Sequence, residues 1–399
     1  MTDGPDRREP DATSRDQTDL DGADGATVRA ALETGDPLPG TSGFAGALED
    51  ALVRDVLGRR PVYYDAADGD GDGDTTSAGG VPDDQPWAFC PADLQDPTLL
   101  PAGSRLADGT VERVWTLPDA APAARPRALV SRLRETLEGV VSGLDPDGHA
   151  VAFSGGVDSG IVAALAGDTG ETAGEQPPLY VASFPDGRDL AAAREAAAAM
   201  GRDLHEVTLT LDALEDAVPR LVRATGRTDP MDLAIAAPLH LVAERVAADG
   251  FDRLALGQGA DELFGGYEKV ARADERVTAD TVRGARDEVL GSLARQLPRD
   301  VCAVRAAGVE PVTPLLHDDV VRLARQLPTG LLVDDRGTRK VALRLAARAW
   351  LPHDVAFREK TAIQYGSQVS RELDRLARRA GFKRRMDDHV ERYVRSRVR

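Results

Sequence analysis

The chain has 399 residues and a formal net charge of −18, from 49 Lys and Arg against 67 Asp and Glu. The acids are 47 Asp and 20 Glu, whereas the bases are 45 Arg and only 4 Lys. A surface rich in aspartate and poor in lysine suits concentrated salt, so we expect a halophilic protein. The same balance argues against a nucleic-acid binder, which needs a basic face.

The sequence also indicates where the protein works. No apolar run approaches the roughly 20 residues of a membrane span, and the start, MTDGPDRREP, lacks the apolar region of a signal peptide. Cys90 and Cys302 are too few for a disulfide framework or a CxxC zinc site. We therefore expect a cytoplasmic protein without a membrane partner, and the length predicts two domains or one large domain with appendages.

The acidic excess is concentrated near the N-terminus, since residues 1–85 hold 20 acids and 7 bases. Residues 1–43 have hardly any periodic apolar positions and are predicted to be a disordered acidic segment. Residues 65–80, DAADGDGDGDTTSAGG, are predicted to be a flexible loop. Its Asp-Gly repeat suggests calcium, but Thr76 stands where an EF-hand loop has its bidentate Glu.

Secondary structure is predicted from the apolar pattern. Short strand-like pieces, too few to bury a core of their own, are expected to pack on the rest of the chain; they are residues 51–56, 61–64, 87–90 and 111–117. From about residue 125, strands alternate with helices. The predicted strands are residues 150–153, 179–184, 204–209 and 253–256. Three helices are predicted between them, one that begins at residue 161, one over residues 189–200 and one over residues 231–248. This alternation predicts an α/β fold with a doubly wound parallel sheet, and a helical C-terminal lobe from about residue 274.

The C-terminal tail is basic. Residues 371–399 contain 11 Arg or Lys against 5 acids, and a helix is expected from about residue 370. The tail is either a solvated helix that balances the acidic body or a contact for RNA or a protein partner. We favour the solvated helix, because Phe382 and Tyr393 are its only aromatic residues and base stacking usually needs more.

A glycine-rich loop, SGGVDS at residues 154–159, stands directly between a predicted strand and a predicted helix. Gly155 and Gly156 let the backbone approach an anion, and the following helix N-terminus offers free N–H groups. Ser154 and Ser159 add hydroxyl donors. Asp158 would repel a phosphate unless Mg²⁺ lay between them, so it predicts that metal. The alternative is a glycine-rich turn without a ligand, for which the first three residues alone would suffice.

This loop resembles the pyrophosphate-binding loop of the ATP-pyrophosphatase superfamily, which cleaves ATP between the α and β phosphates. Residues 256–267, LGQGADELFGGY, resemble the SGEGADELFGGY stretch of asparagine synthetases and their β-lactam-synthetase relatives. Collinear agreement covers about residues 125–368. The resemblance implies an asparagine-synthetase-like, ATP-pyrophosphatase-type domain over residues 119–399.

The resemblance extends upstream as well. Residues 52–64 are similar to the RDxxGxxPLYY strand pair late in the family's glutaminase domain, so residues 44–118 are interpreted as a small β-rich remnant of that domain. Its first half is missing, and Thr2 stands where the family exposes a catalytic cysteine. We therefore expect no glutamine hydrolysis by this chain, and its ammonia would be free or come from a separate glutaminase.

The resemblance implies activation of a carboxylate by ATP, with aspartate and ammonia as the expected substrates and Mg²⁺ as the metal. A carboxylate attacks the α-phosphorus to give an acyl-adenylate and pyrophosphate, and an amine then displaces AMP. Asp158 and Asp261 would be the Mg²⁺ ligands, and Ser183 and Gly257 would join the loop in binding the nucleotide. The alternative for Asp261 is a helix N-cap.

Lysine is so rare here that each one is a candidate. A lysine offers a compact point charge and can shift its pKa, which arginine cannot do. The family places its catalytic lysine at the position of Lys360. Lys340 and Lys269 are weaker candidates by the same argument, and the alternative for each is an ordinary surface residue.

Gln258 departs from the family pattern, in which asparagine synthetases usually carry Glu and β-lactam relatives carry Tyr. A glutamine can form hydrogen bonds but cannot accept a proton, so either another group deprotonates ammonia or the acceptor differs. Two functions remain open. One is an asparagine-synthetase-like amide ligase in which Gln258 has a catalytic role, and the other is a non-catalytic or regulatory nucleotide-binding homologue.

Overall fold

The computed structural model describes residues 18–65, 85–122, 125–144, 148–167, 176–185, 187–268, 270, 281–359 and 365–398. The N-terminal strands form two antiparallel sheets. These strands are β1 (Thr18–Asp21), β2 (Ala45–Leu48), β3 (Ala51–Arg54), β4 (Tyr63–Asp65), β5 (Trp87–Ala88), β6 (Pro97–Leu99), β7 (Ser104–Ala107) and β8 (Thr110–Arg113). One sheet has the order β1-β2-β3-β7-β8 and the other β5-β4-β6.

The first strand and helix correct the prediction of disorder for residues 18–43, whereas residues 1–17 lie outside the described residues. Strand β1 pairs with β2, and helix α1 (Gly25–Thr34) follows it. The Asp24 side chain caps this helix by accepting a hydrogen bond from the backbone of Thr27. Val28 and Ala31 are buried on its inner face. The acidic composition of this segment predicted disorder, but a short helix needs few apolar residues. Here one N-cap and two buried side chains a turn apart are enough to stabilise it.

The remaining helices follow in chain order. They are α2 (Pro126–Ser142), α3 (Val157–Leu165), α4 (Arg188–Ala199), α5 (Leu211–Thr225), α6 (Pro230–Ala248), α7 (Ala260–Phe264), α8 (Val282–Gly291), α9 (Leu293–Arg305), α10 (Asp318–Arg325), α11 (Thr329–Leu332), α12 (Val341–Ala347), α13 (His353–Ala356), α14 (Tyr365–Arg379) and α15 (His389–Ser396). Within the described residues, none of these helices is both long and apolar enough to cross a membrane. Most of the Asp-Gly run lies outside the described residues.

A parallel sheet of five strands confirms the predicted α/β fold class. Its strands are β9 (His149–Ala152), β10 (Leu179–Ser183), β11 (Leu204–Thr208), β12 (Arg253–Ala255) and β13 (Glu310–Val312), in the order β11-β10-β9-β12-β13. The first four match the predicted strands to within two residues. The fifth was not predicted, since it is short and contains Pro311, which is tolerated in a sheet only at an edge such as this one.

Both faces of the parallel sheet are covered. Successive residues of a strand point to opposite faces, and the two faces meet different clusters of buried side chains. Val151 and Val181 belong to the cluster that includes α2, α3 and α4. Ala150 and Tyr180 belong to the cluster that includes α5, α6, α14 and α15. The sheet is therefore doubly wound, as the near-continuous apolar strands predicted.

The N-terminal strands pack on the rest of the chain, as expected, but the segment also buries a small apolar cluster of its own, which was not expected. Phe44 and Trp115 belong to the same buried cluster as α3, with their rings 5.4 Å apart. Arg59 lies 2.8 Å from Asp55 and 2.7 Å from Asp318, and all three side chains are almost completely buried. Asp318 starts helix α10, so this ion triad ties the two parts of the protein together.

The basic tail forms helices α14 and α15 and neutralises part of its own charge. Asp374 lies at its centre, where it forms ion pairs with Arg378 and Arg384 and a hydrogen bond with His389. The tail is also anchored, because Tyr393 and Val394 are buried against the α5 and α6 side of the sheet. The tail is therefore helical as predicted, but α15 is partly buried against the body rather than fully solvated.

Replacing Asp318 with alanine should lower the free energy of unfolding by about 3–5 kcal/mol, because it leaves Arg59 with one buried partner and removes the acceptor for the Gly40 and Thr41 backbone N–H groups. Urea denaturation measures the change. The matched control is Glu206→Gln, which breaks an exposed ion pair with Arg194 and should leave stability unchanged. Equal stability of the two variants would show that the triad does not hold the N-terminal segment.

Candidate active site

The loop between β9 and α3 is held in shape by its own serines. The Ser154 backbone N–H donates to Ser159 Oγ at 3.1 Å, and the two hydroxyl oxygens lie 3.2 Å apart. Gly155 has a φ of 75°, and a Cβ there would come within 2.8 Å of Ala193 Cα in α4. Conformation and space therefore both require glycine at this position. The loop is a preformed cradle that leads into a helix.

The cradle opens into a cavity of about 290 Å³. Helix α3 points its N-terminus there, and Gly156 at the cap has no side chain to satisfy the first N–H groups. Such a helix end favours an anion. The cavity is bounded by the loop, by the segment after β12 and by charged residues from the C-terminal lobe. Its charged lining residues are Asp158, Asp189, Asp261, Arg339, Lys340, Arg344, Arg358 and Glu359.

Lys340 joins the two predicted metal ligands. Its Nζ lies 2.5 Å from Asp158 Oδ2 and 2.7 Å from Asp261 Oδ1. Asp158 follows β9 and Asp261 follows β12, and these strands are neighbours in the sheet. Because the carboxyl ends of parallel strands meet at one edge, the two side chains reach the same point. The structure thus brings together three of the residues singled out from the sequence.

The lysine is charged and held in a costly conformation. Burial disfavours the ammonium, but Asp158 and Asp261 outweigh burial and raise the pKa of Lys340 above its ordinary value. Its backbone is left-handed, with a φ of 58°, which costs a residue other than glycine about 1–2 kcal/mol. Strain of this kind at a charged cavity wall is typical of a functional position.

Gly266 makes the close approach of the charged groups possible. A Cβ at this position would overlap Asp261 Oδ1 and Lys340 Cε. Nearby, the Tyr267 hydroxyl donates to Glu262 Oε1 at 2.6 Å, and burial raises the pKa of Glu262. In the GADELFGGY segment, Gly266 is therefore required by the close packing of Asp261 and Lys340, and Tyr267 is the hydrogen-bond partner of the buried Glu262.

The two aspartates suit a magnesium ion that arrives with a phosphate. Mg²⁺ in such sites is held by one or two carboxylates together with phosphate oxygens and water. Asp158 Oδ1 is buried and makes no hydrogen bond within the described residues. That part of the chain also holds no group of three or more His, Cys, Asp or Glu residues arranged as a metal cage. The donor set therefore fits the metal, and its role stays a prediction.

Comparison with known proteins identifies the family. A family model described as asparagine synthase matches residues 148–304 and 293–397, more than half of the chain. The chain belongs to the asparagine synthase family. Two regions covered by this match, the SGGVDS loop and the GADELFGGY segment, supply Asp158 and Asp261.

Relatives of this asparagine synthase family member are distant. A Methanocaldococcus jannaschii protein with an asparagine synthetase name is 28% identical over 284 residues, which are 63% of this chain and 51% of the relative. Asparagine synthetase B [glutamine-hydrolyzing] of Escherichia coli is 29% identical over 252 residues, covering 59% and 45% of the two chains. Asparagine synthetase [glutamine-hydrolyzing] 1 of Saccharomyces cerevisiae is 26% identical over 258 residues, covering 55% and 45%. The chain spans about half the length of these relatives.

Other residues predicted from the family motifs differ in where they lie. Gln258 and Gly257 both line the cavity, and a Cβ on Gly257 would come within 2.8 Å of the loop backbone at Ser159. Ser183 does not line it. Its hydroxyl donates to the Phe184 carbonyl at 2.8 Å and faces a separate small cavity, so its nucleotide role stays a prediction.

Two of the candidate lysines, Lys360 and Lys269, lie outside the described residues. Glu359, directly before Lys360, lines the cavity. The catalytic role of Lys360 therefore stays a prediction.

The cavity is also lined by three arginines of the C-terminal lobe that were not predicted from the sequence, Arg339, Arg344 and Arg358. Arg344 is buried and donates to the carbonyls of Arg339, Ala356 and Arg358, at 2.8–2.9 Å. It therefore ties together the segments that bring Arg339 and Arg358 to the cavity wall. Among 45 arginines, frequency offers no signal that could have distinguished these.

Replacing Lys340 with methionine should lower the free energy of unfolding by about 3 kcal/mol, because Asp158 and Asp261 would keep their charges beside each other without a cation. Urea denaturation tests this. The same substitution at the exposed Lys383 is the control and should have no effect. If Lys340→Met were as stable as the control, the ammonium would not be the group that holds the carboxylates together.

The close packing at Gly266 gives a second test. Gly266→Ala should destabilise the protein by about 1–3 kcal/mol, since its Cβ would overlap Asp261. Gly139→Ala, in the last turn of α2 where a Cβ meets nothing within 4 Å, should instead stabilise it by about 0.5–1 kcal/mol. Thermal unfolding of the two variants should therefore shift in opposite directions, and a shift in the same direction would contradict the overlap.

Proposed function

We propose that this chain is an ATP-dependent, AMP-forming amide ligase that resembles asparagine synthetase, with aspartate as the carboxylate and ammonia as the amine. The observation that carries the proposal is the meeting of Asp158, Asp261 and Lys340 beside the SGGVDS cradle. This arrangement combines an anion-binding helix end, two carboxylates for a metal and a fixed positive charge in one cavity. Family membership supports the same reaction class.

The cradle would hold the β- and γ-phosphates of ATP. The backbone of Gly155 and Gly156 can approach an anion closely, and Ser154 and Ser159 supply hydroxyl donors. Mg²⁺, held by Asp158 and the second aspartate, would neutralise phosphate charge when bound. This chain's own contribution is a rigid frame, because the serine hydrogen bonds fix the loop before a ligand arrives.

The first half-reaction would occur at the α-phosphorus. A substrate carboxylate oxygen forms a bond to that phosphorus as the bond to the bridging oxygen of pyrophosphate breaks. The fixed charges of Lys340, Arg339 and Arg358 lie on the cavity wall, where they would offset the charge that develops. Lys360 is the further lysine that we assign to this step. Positioning and charge stabilisation would supply most of the rate.

The second half-reaction would form the amide. The amine nitrogen attacks the acyl carbon, and AMP leaves with the electron pair of the broken carbon–oxygen bond. Gln258 lies on the same cavity wall and offers a hydrogen bond rather than a base. Ammonia could enter free from solution or be supplied by a separate glutaminase. A different amine acceptor is the alternative that Gln258 favours.

The competing function is a non-catalytic or regulatory nucleotide-binding homologue. Gln258 favours it, because the residue cannot accept a proton. The intact cradle and the charged groups around Lys340 favour catalysis, since a passive nucleotide site needs no strained and buried lysine. The two functions make opposite predictions for turnover.

The direct test is pyrophosphate release from ATP and Mg²⁺ over a panel of carboxylates and amines. With aspartate and ammonia, the wild type should release pyrophosphate, and Asp158→Asn and Lys360→Ala should each lose activity by about 100-fold or more. Lys383→Ala is the control and should match the wild type. Aspartate labelled with ¹⁸O in its carboxylate should transfer one labelled oxygen to AMP.

The same assay separates the two functions. No release with any carboxylate and amine, or release by Lys360→Ala at the wild-type rate, would rule out the ligase. Release with another carboxylate would keep the reaction class and change the substrate. Detection of the acyl-adenylate by mass spectrometry identifies which carboxylate was activated.

A further inference from the structure

A chain of alternating charges ends at Gln258 in the cavity wall. Arg227 Nη1 lies 3.0 Å from Asp232 Oδ2, and Arg299 Nη1 lies 2.9 Å from Asp232 Oδ1. Arg299 in turn contacts both carboxylate oxygens of Asp300, at 2.7 and 3.1 Å. Gln258 Nε2 donates to Asp300 Oδ2. The charges of the two arginines and two aspartates cancel. The group at the end of the chain, the Gln258 amide, is itself neutral.

Asp300 determines which end of the Gln258 amide faces it. A carboxylate oxygen only accepts hydrogen bonds, so it must meet the NH₂ group rather than the carbonyl. Asp300 is 2% exposed, and Arg299 holds both of its oxygens. The Asp300 carboxylate is therefore held in one position and fixes the orientation of the Gln258 amide, whose Oε1 atom is directed away from it. Gln258 itself lines the cavity.

The charges around Asp300 also explain why residue 258 is not acidic. Arg299 contacts the carboxylate from its own helix α9, and Gln258 contacts it from the segment after β12. Arg227, between α5 and α6, acts on it electrostatically. The Tyr267 hydroxyl belongs to the same electrostatic neighbourhood. A glutamate at position 258 would set a second carboxylate against Asp300 in a buried place, where two like charges cannot both ionise cheaply.

We propose that Asp300 is the positioning residue of the amine half-reaction, because it holds Gln258 with Oε1 free to accept an N–H of the incoming amine. The proposal rests on the proposed ligase function. Since an amide accepts a hydrogen bond but no proton, the amine must arrive as its neutral free base. The carbon–nitrogen bond forms as the carbon–oxygen bond to AMP breaks, and the proton lost by nitrogen passes to the AMP phosphate or to water.

Asp300→Asn tests the positioning role, because an asparagine can present either a donor or an acceptor to Gln258. The KM for ammonia should rise about tenfold, which corresponds to about 1.4 kcal/mol. The rate at saturating ammonia and the KM values for ATP and aspartate should stay within about twofold, since those substrates do not depend on the amide. Unchanged KM for ammonia, or an equal loss at every step, would overturn the proposal.

The matched control is Asp287→Asn. Like Arg299 and Asp300, Arg286 and Asp287 are adjacent in sequence and form an ion pair, at 2.8 Å on helix α8. Asp287 does not line the cavity. This variant should leave all kinetic constants unchanged. A rise in its KM for ammonia would show that loss of any such pair suffices, and would contradict a specific role for Asp300.

A charge exchange gives a readout that needs no activity. Gln258→Glu places two carboxyls in contact, so one of them keeps a raised pKa in the folded state. While that carboxyl is protonated, at low pH, the variant keeps its stability. The stability is lost as the pH rises above the ordinary pKa of a glutamate and toward the raised value. The Tm of Gln258→Glu should therefore fall below that of the wild type by about 2 °C or more between pH 5 and 8, and adding Asp300→Asn should restore it. A Tm that does not change with pH would show that the contact is absent.

The same exchange tests the demand for a neutral amine. For the wild type, kcat/KM for ammonia should follow the concentration of free base, whereas hydroxylamine, which is neutral at pH 7, should react without that dependence. In Gln258→Glu/Asp300→Asn a carboxylate faces the cavity, so its ammonia profile should extend to lower pH. A wild-type kcat/KM that does not follow the free base would overturn the role assigned to Gln258. If the wild type releases no pyrophosphate while the Tm series holds, the ligase fails and the contact stands.

Discussion

One ammonium between two carboxylates is the interaction on which the site depends. Asp158 and Asp261 come from the ends of neighbouring strands and would repel each other without Lys340. Placing the ammonium there requires a left-handed backbone at the lysine and a missing side chain at Gly266. Gly257 likewise lets the segment after β12 approach the backbone of the SGGVDS loop closely. The glycines of both motifs are thus consequences of bringing three charges together at one sheet edge.

Elsewhere the protein balances buried charge with arginine instead. Arg59 lies between Asp55 and Asp318, and Arg299 lies between Asp232 and Asp300. A guanidinium stays charged when buried and meets a carboxylate with a planar fork of donors, so it suits permanent structural pairs. A lysine is compact and has three rotatable donors, so it suits a point where two carboxylates and a ligand compete. Lys340, between two carboxylates in the cavity wall, fits that division of roles.

The apolar strands β9 to β12 and the SGGVDS loop could be predicted from the sequence, because a strand buried on both faces is a run of apolar residues and a phosphate cradle needs glycine. The edge strand β13 and helix α1 could not, since β13 depends on pairing with β12 and the inner face of α1 is buried against distant residues. Asp300 was hidden for the same reason. Nothing near it in the sequence indicates that it meets Gln258, 42 residues away, and only the folded α9 brings them together.

The exchange of an acid for an amide at Gln258 changes what the cavity attracts. A carboxylate on the wall would form charge-assisted hydrogen bonds with an ammonium ion, and these are about twice as strong as neutral ones. Such a wall would attract the protonated amine and could also take its proton, so it would serve at a pH where the free base is scarce. With Asp300 buried behind the amide and compensated by Arg299, its field reaches the cavity only weakly. The wall then has no preference for the charged amine, and the reactive free base can compete for Gln258 Oε1.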